Sequence, residues 1–255
     1  MIPPTLFNNV LVIPFINILL LFVFLFEFLH LPGAFGWSIV ALTVFIRLLL
    51  HPMSAQQVKL AKKMEEMKPH LDLLSKKHKN DKKKLQSEQM RLYQEMGINP
   101  ASGCLYAIIQ IPVFIGLYNV LQLFLNNGNI GKVVPEVNKI VYFNFLKIAA
   151  IDPYFFGINL AISPSQFGKY GIWYLIIPVI TALLQYWQTT VMMPKKNLPK
   201  KDNEKKDPDM QSIMQGQMRF MFPIMIGYFS YILPVGLSIY WNVFSLFSIV
   251  QYQKK

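Results

Sequence analysis

Three groups of polar side chains lie inside stretches that are otherwise apolar enough for lipid. The first is the run Gly36-Trp-Ser-Ile-Val-Ala-Leu-Thr-Val-Phe-Ile-Arg-Leu-Leu-Leu-His-Pro52, with the full positive charge of Arg47, Thr43 one turn before it and His51 one turn after. The second is Thr181, Gln185 and Gln188, spaced i, i+4, i+7, and the third is Ser238, Trp241, Ser245 and Ser248, spaced 3-4-3. At 100° per residue each set shares one helix face. Guanidinium, hydroxyl and amide groups exchange hydrogen bonds, so the chemistry on offer is solvation of a polar guest rather than bond cleavage. A charge at the centre of a spanning helix costs about 2.5–3.5 kcal/mol on insertion scales and is kept only with a partner, water or a function. An arginine near a helix end can instead snorkel to the interface. One polar stripe alone can be ordinary interhelical bonding, which averages about 0.6 kcal/mol per contact. Three stripes are harder to dismiss. No span offers a carboxylate opposite Arg47, Glu27 in the first apolar segment being the nearest. The spacing therefore predicts a water-filled cavity with a positive field that solvates Arg47 without a partner.

Covalent catalysis is not expected. There is no HExxH, P-loop, GxSxG or paired carboxylate within a span. The single cysteine, Cys104, excludes an internal disulfide, and His30, His51, His70 and His78 lack zinc-ligand spacing. No cofactor or metal is predicted. With 53 % hydrophobic residues, 20 Phe and 15 % charged residues, the composition is that of an all-α polytopic membrane protein. The formal charge of +12 is assigned to loops held against anionic lipid, and no direct nucleic-acid partner is expected.

The elements that must position the stripes follow in order. Residues 1–32 hold a long apolar run at 10–31 broken by Asn17, Glu27 and His30, which fall in one arc as in a helix lying in the interface; by length the run could equally span. Its start lacks the basic region of a cleavable signal. Residues 33–52 form the Arg47 span. Residues 53–99, with 11 Lys/Arg and 6 Asp/Glu, read as a coiled-coil hairpin. One arm carries Leu60, Met64, Met67, Leu71 and Leu74, with a kink expected at Pro69, and the other carries Leu85, Gln89, Leu92 and Met96, stopped at Gly97. Residues 100–252 supply four more spans, near 102–125, 170–192, 217–233 and 236–252. A polar connection at 126–169 and a basic loop at 193–216 separate them, and 253–255 is a short tail. Most of the Lys/Arg lie in 53–99, 193–216 and the terminus, so those face the cytoplasm and five spans leave the N-terminus outside.

At these residues the sequence resembles the YidC/Oxa/Alb family of membrane protein insertases, in particular bacterial members without a large external domain. The carriers are Arg47 five residues before Pro52, Asn99-Pro-Ala-Ser-Gly-Cys104 continuing into Gln110-Ile-Pro-Val-Phe-Ile-Gly-Leu-Tyr118, Asp152-Pro153, and Leu233-Pro-Val-Gly-Leu-Ser-Ile-Tyr-Trp-Asn242. The resemblance implies a five-span core with a flat amphipathic N-terminal helix and a cytoplasmic helical hairpin. It also implies a hydrophilic groove open to cytoplasm and lipid and closed outside. Arg47 and Thr43 match groove positions, Trp241 matches the aromatic that meets substrate, and Gln185, Thr181, Gln188, Ser238 and Ser245 complete the stripes around them.

The implied function is insertion of nascent membrane proteins. Short hydrophilic segments cross through the groove and the hydrophobic segment is released into the lipid bilayer of a bacterial plasma membrane. A Sec-type translocon and the ribosome are the further partners such a role brings. With only Lys254 and Lys255 in place of a long basic tail, tail-mediated ribosome binding is not expected. The alternative from another class is an ion or solute pore or transporter using the same stripes, although two similar halves with broken helices are not visible. Substrate range, Sec dependence, oligomeric state and a role for 126–169 are not legible.

Overall fold

The computed structural model describes residues 3–78, 81–98, 101–125, 130–192 and 210–253. The turn at 79–80, the Asn99-Pro100 opening of the second-span motif, the greater part of the 193–216 loop and the terminal lysine pair lie outside the described residues. Among the described residues the regular structure is helical apart from one two-stranded hairpin, so the chain is an all-α membrane protein.

A π-helical turn, Asn8–Val12, runs into α1 (Ile13–Phe28). Together these 21 residues are long and apolar enough to cross a membrane. The helix stops in a Schellman arrangement: Leu31 N–H donates to the Phe26 carbonyl and His30 N–H to that of Glu27, with His30 at φ 54°. His30 thus lies beyond the helix. Asn17 points inward, donating to the carbonyls of Ile13 (2.9 Å) and Ile140 (3.2 Å) and accepting from Tyr142 N–H (2.7 Å). The polar arc that suggested a flat amphipathic helix is therefore dismantled, one member buried and one outside the helix. The leading turns pack on α5 (Ala101–Leu125), with Leu11 and Phe15 near Gly116, and the remainder packs on α2 (Ala34–Leu49), with Phe22 against Phe45.

The first-span motif forms α2 (Ala34–Leu49), which ends at Leu50; α3 (His51–Lys77) then leaves at 66°. Pro52 sits in the first turn of α3, where its missing N–H is harmless. His51 accordingly belongs to α3 rather than to the Arg47 face. Pro69 lies within α3, which continues through it as one helix. The return arm α4 (Lys82–Glu95) is capped by Asp81, whose carboxylate accepts from Lys84 N–H at 3.0 Å. Gly97 closes it at φ 62°, with Ile98 N–H donating to Tyr93 O. The hairpin core is Met67, Leu71, Tyr93 and Ile98, with Leu60, Met64 and Leu92 against it. Met96, expected on the seam, is exposed because the cap turns the chain and presents Ile98 in its place.

Four helices occupy the remaining span positions, α5 (Ala101–Leu125) directly and three more after α6 (Ile130–Asn138) and the short α7 (Phe167–Tyr170). They are α8 (Ile176–Met192), α9 (Met210–Ile232) and α10 (Val235–Gln253). The stretch Ile172–Met192 is long and apolar enough to cross, and Gln110–Leu125 is a shorter apolar helix. α10 is central, packed between α2 and α8 and touching α5, while α8 also packs on α9. The close α8–α9 approach is set at Gly227, where a Cβ would lie 2.9 Å from that of Ala182.

The connection after α5 is folded. It contains α6, the antiparallel strands β1 (Tyr154–Phe155) and β2 (Ile158–Asn159), and α7. Its buried segment Leu160-Ala-Ile162 reaches α10: the N–H groups of Val235 and Gly236 donate to the Ile162 and Leu160 carbonyls, each at 3.0 Å. These are first-turn donors that have no partner within their own helix. At the start of α2 the Phe155 ring lies so close to Gly36 that a Cβ there would stand 2.3 Å from it. The connection is a cap bound to two helices at once.

Candidate functional site

The three stripes converge on α10. α2, α8 and α10 each begin at the cap end and run the same way, so their polar faces are read in step. Nearest the cap, Ser230 of α9 meets Thr181 of α8 at 3.3 Å and Ser238 of α10 at 2.7 Å. Farther along, Ser245 donates to Gln185 Oε1 at 3.2 Å. Next, Arg47 of α2 donates to the Ser248 hydroxyl, with its guanidinium carbon 4.2 Å from the ring centre of Phe244 and 5.3 Å from that of Phe247. Last, Gln251 donates to Ser54 of α3 at 2.7 Å. From Ser238 to Gln251 the ladder follows α10 for about 20 Å at 1.5 Å per residue.

All eight residues singled out from the sequence are buried, Arg47 at 4 % exposure and Ser238 at none. Thr181, Gln185, Ser238, Ser245 and Arg47 join one polar seam through side-chain hydrogen bonds, and Arg47, expected to lack a partner, is held by Ser248 and two aromatic faces. The physical reason is the parallel run of α2, α8 and α10, which puts the α10 serines within hydrogen-bond reach of both neighbours: Ser248 accepts from Arg47, and Ser245 donates to Gln185. Thr43, one turn from Arg47, turns its hydroxyl to its own helix at the Ile39 carbonyl, 2.7 Å away. Trp241 faces α5 and stacks on Phe114 at 5.7 Å between ring centres. Gln188 is buried with its amide nitrogen 3.7 Å from Met192 Sδ, and its Oε1 has no hydrogen-bond partner among the described residues.

Sequence reasoning placed Ser248 on a stripe without giving it a role, and it missed Ser230, Ser54 and Gln251. Ser230 had a signal, as a hydroxyl three residues after Gly227 in an otherwise apolar stretch. Ser54 and Gln251 had none, since they lie at helix ends where polar residues are ordinary.

A seam of hydroxyls and amides with one cation can accept hydrogen bonds from a polar peptide and donate them to it. Comparison with known proteins bears on what such a seam serves. A model of the family described as 60Kd inner membrane protein matches residues 25–254. The chain is 30 % identical over 230 residues to inner membrane ALBINO3-like protein 1, chloroplastic, of Chlamydomonas reinhardtii, covering 84 % of this chain and 42 % of that protein. It is 29 % identical over 221 residues to the membrane protein insertase YidC of Oceanobacillus iheyensis, covering 85 % of this chain and 72 % of that one. A crystal structure of an active YidC insertase with its first transmembrane domain resolved superposes with a TM-score of 0.55 at 25 % identity, over 96 % of this chain and 46 % of the other. The chain thus spans about half the length of several relatives it matches. By the extent of the family match, the chain belongs to the 60Kd inner membrane protein family, the YidC/Oxa/Alb membrane proteins.

Proposed function

We propose that this chain is a membrane protein insertase that receives a short hydrophilic segment of a nascent membrane protein into the α2/α8/α10 seam and releases the adjoining hydrophobic segment into lipid. The observation that carries the reading is the ladder itself: polar pairs held mostly side chain to side chain. Interhelical hydrogen bonds in membranes average about 0.6 kcal/mol, so parting four or five rungs costs roughly 3 kcal/mol. A polar segment entering the seam offers N–H and C=O groups that replace the lost partners. The larger driving force is burial of the substrate's own apolar segment, at about 25 cal/mol per Å².

Arg47 is the groove cation in this reading, with Thr43, Thr181, Gln185, Gln188, Ser238 and Ser245 lining its walls. Gln188 Oε1, buried and unbonded among the described residues, is a ready acceptor for an incoming N–H. Trp241 meets the substrate once α10 shifts from α5. The hairpin α3–α4 and the basic loop face the cytoplasm, as does the C-terminus, and α3–α4 captures the chain. The cap faces outside and closes the seam there, and the membrane potential assists acidic tails. The setting is the bacterial plasma membrane, with nascent membrane proteins and lipid as partners.

The test is insertion of a single-span protein into liposomes carrying this chain, scored by protease protection of the translocated tail. Wild type should protect, and Arg47→Ala should lose about tenfold on acidic tails, a difference of ~1.4 kcal/mol, and less on neutral ones. Equal protection of all tails by both proteins would remove Arg47 from the mechanism. No protection by wild type, together with a voltage-dependent current in the absence of substrate, would replace the insertase with a pore.

A further inference from the structure

The cap carries an apolar rim that the polar seam does not use. Tyr154, Phe156 and Ile158 of the β-hairpin and Tyr170, Ile172 and Trp173 just beyond it are all exposed, Phe156 at 75 % and Trp173 at 74 %. The rim is tied to the cap-side ends of two helices. Ile172 and Trp173 open the stretch Ile172–Met192, which is long and apolar enough to cross a membrane, so they mark its cap-side end. The Tyr174 hydroxyl accepts from Asn159 N–H at 3.1 Å, which ties β2 to the same level. On the other side, Phe155 packs on Gly33 and Gly36 and is edge-on to Trp37 at 5.4 Å, so β1 is level with the start of α2.

The hairpin tip adds an independent sign. Phe156 and Gly157 are its two loop residues, at φ 48° and 80°. A two-residue turn with positive φ at both positions favours Asn-Gly or Asp-Gly, and a bulky aromatic there is an outlier. The tip holds a strained, solvent-facing phenylalanine where a polar residue would be easier. Its neighbours complete the composition of a membrane boundary, where Trp and Tyr gather at the headgroup level and lysine ammoniums reach outward. Lys169 Nζ lies 5.2 Å from the Tyr170 ring centre in this way.

We propose that the β1–β2 hairpin is an interfacial anchor that sets Phe156 among the lipid headgroups and upper acyl chains of the leaflet at the cap end, fixing the cap over the ends of α2 and α8. The occupant of the rim is the bilayer itself. The inference needs only that the chain is a membrane protein, and it survives failure of the insertase reading.

The experiment places an environment-sensitive fluorophore at position 156. The full chain with Cys104→Ser and Phe156→Cys is labelled with a nitrobenzoxadiazole probe and reconstituted into vesicles of phosphatidylcholine and phosphatidylglycerol. A cysteine bears the positive φ no worse than phenylalanine, and the site is exposed, so the fold is kept. Matching labels at Glu95 in α4 and Ile224 in α9, exposed at 69 %, give the water and lipid references. The expected result is blue-shifted emission at 156, shielding from iodide, and stronger quenching by lipids spin-labelled high on the acyl chain than by lipids labelled deep. A second label at Tyr154→Cys should report the same depth. Emission and iodide quenching at 156 equal to those of the Glu95 site would overturn the anchor.

Discussion

The polar seam and the cap both hold helices together, and they do so by opposite means. In the seam the contacts are side chain to side chain: Thr181–Ser230–Ser238, Gln185–Ser245 and Arg47–Ser248. In the cap they are largely backbone bonds and close apolar fit, with Leu160 and Ile162 carbonyls on the first turn of α10 and Phe155 filling the space that Gly36 leaves open. Hydroxyls and amides can exchange one partner for another of the same kind at small cost. A ring wedged on a glycine and a carbonyl seated on a helix end have no such substitute. The difference separates the part of the molecule suited to opening from the part suited to staying shut.

The sharpest way to break this contrast is at Gly36. Gly36→Ala places a methyl 2.3 Å from the Phe155 ring, and overpacking of this kind costs about 1–3 kcal/mol. The melting temperature in detergent should fall clearly, and Phe155→Ala in the same chain should recover part of the loss. An unchanged melting temperature would mean that the cap is loosely seated and the contrast is wrong. Asn17→Ala tests the second fastening. It deprives the Tyr142 N–H and the Ile140 carbonyl of their partner, a loss of about 1–2 kcal/mol for groups left unpaired. Faster hydrogen exchange at Tyr142 should accompany it.

The seam should respond the other way round. Ser245→Ala removes one rung, with an expected stability change of about 0.6 kcal/mol, yet insertion of polar tails should drop several-fold if the rungs are exchanged for substrate. A large fall in stability with normal insertion would turn the seam into ordinary packing.

The two regions were also unequally legible. The seam could be read because its residues recur at helical spacing: Thr181, Gln185 and Gln188 betray one face whatever lies opposite. What spacing cannot give is the partner, so Arg47 looked solitary although Ser248, 201 positions away, stood in the sequence as a member of another stripe. The cap was opaque for a stronger reason. Its fastenings join Phe155 to Gly36 and Ile162 to Val235, pairs far apart in sequence and made of residue types that carry no pattern. Asn17 shows the same limit in the first helix. As a polar residue in an apolar run it suggested an exposed face, while two of its three partners lie more than a hundred positions away. Local stops were the most readable of all, since Gly97 ends α4 through a left-handed turn that needs no tertiary partner.

A surface ion pair shows which cap contacts are dispensable. Glu136 and Lys139, one turn apart on α6, pair at 3.0 Å on the surface. The hydrogen bond from Lys139, followed by its charge, holds the Glu136 carboxyl below its ordinary value of 4.5. A carboxylate whose folded value is depressed contributes stability that is present above the unfolded value and lost as pH falls through the folded one. Glu136→Gln should therefore differ from wild type only slightly near neutral pH, the difference closing as the solution is acidified below about pH 4. An exposed pair of this kind is screened by water and salt, so raising the ionic strength should close the gap as well. If acid instead released the whole cap, measured as exposure of a label at position 156 to iodide, the fastening would be electrostatic, and Gly36 and the α10 backbone bonds would lose their place as the frame that stays shut while the seam opens.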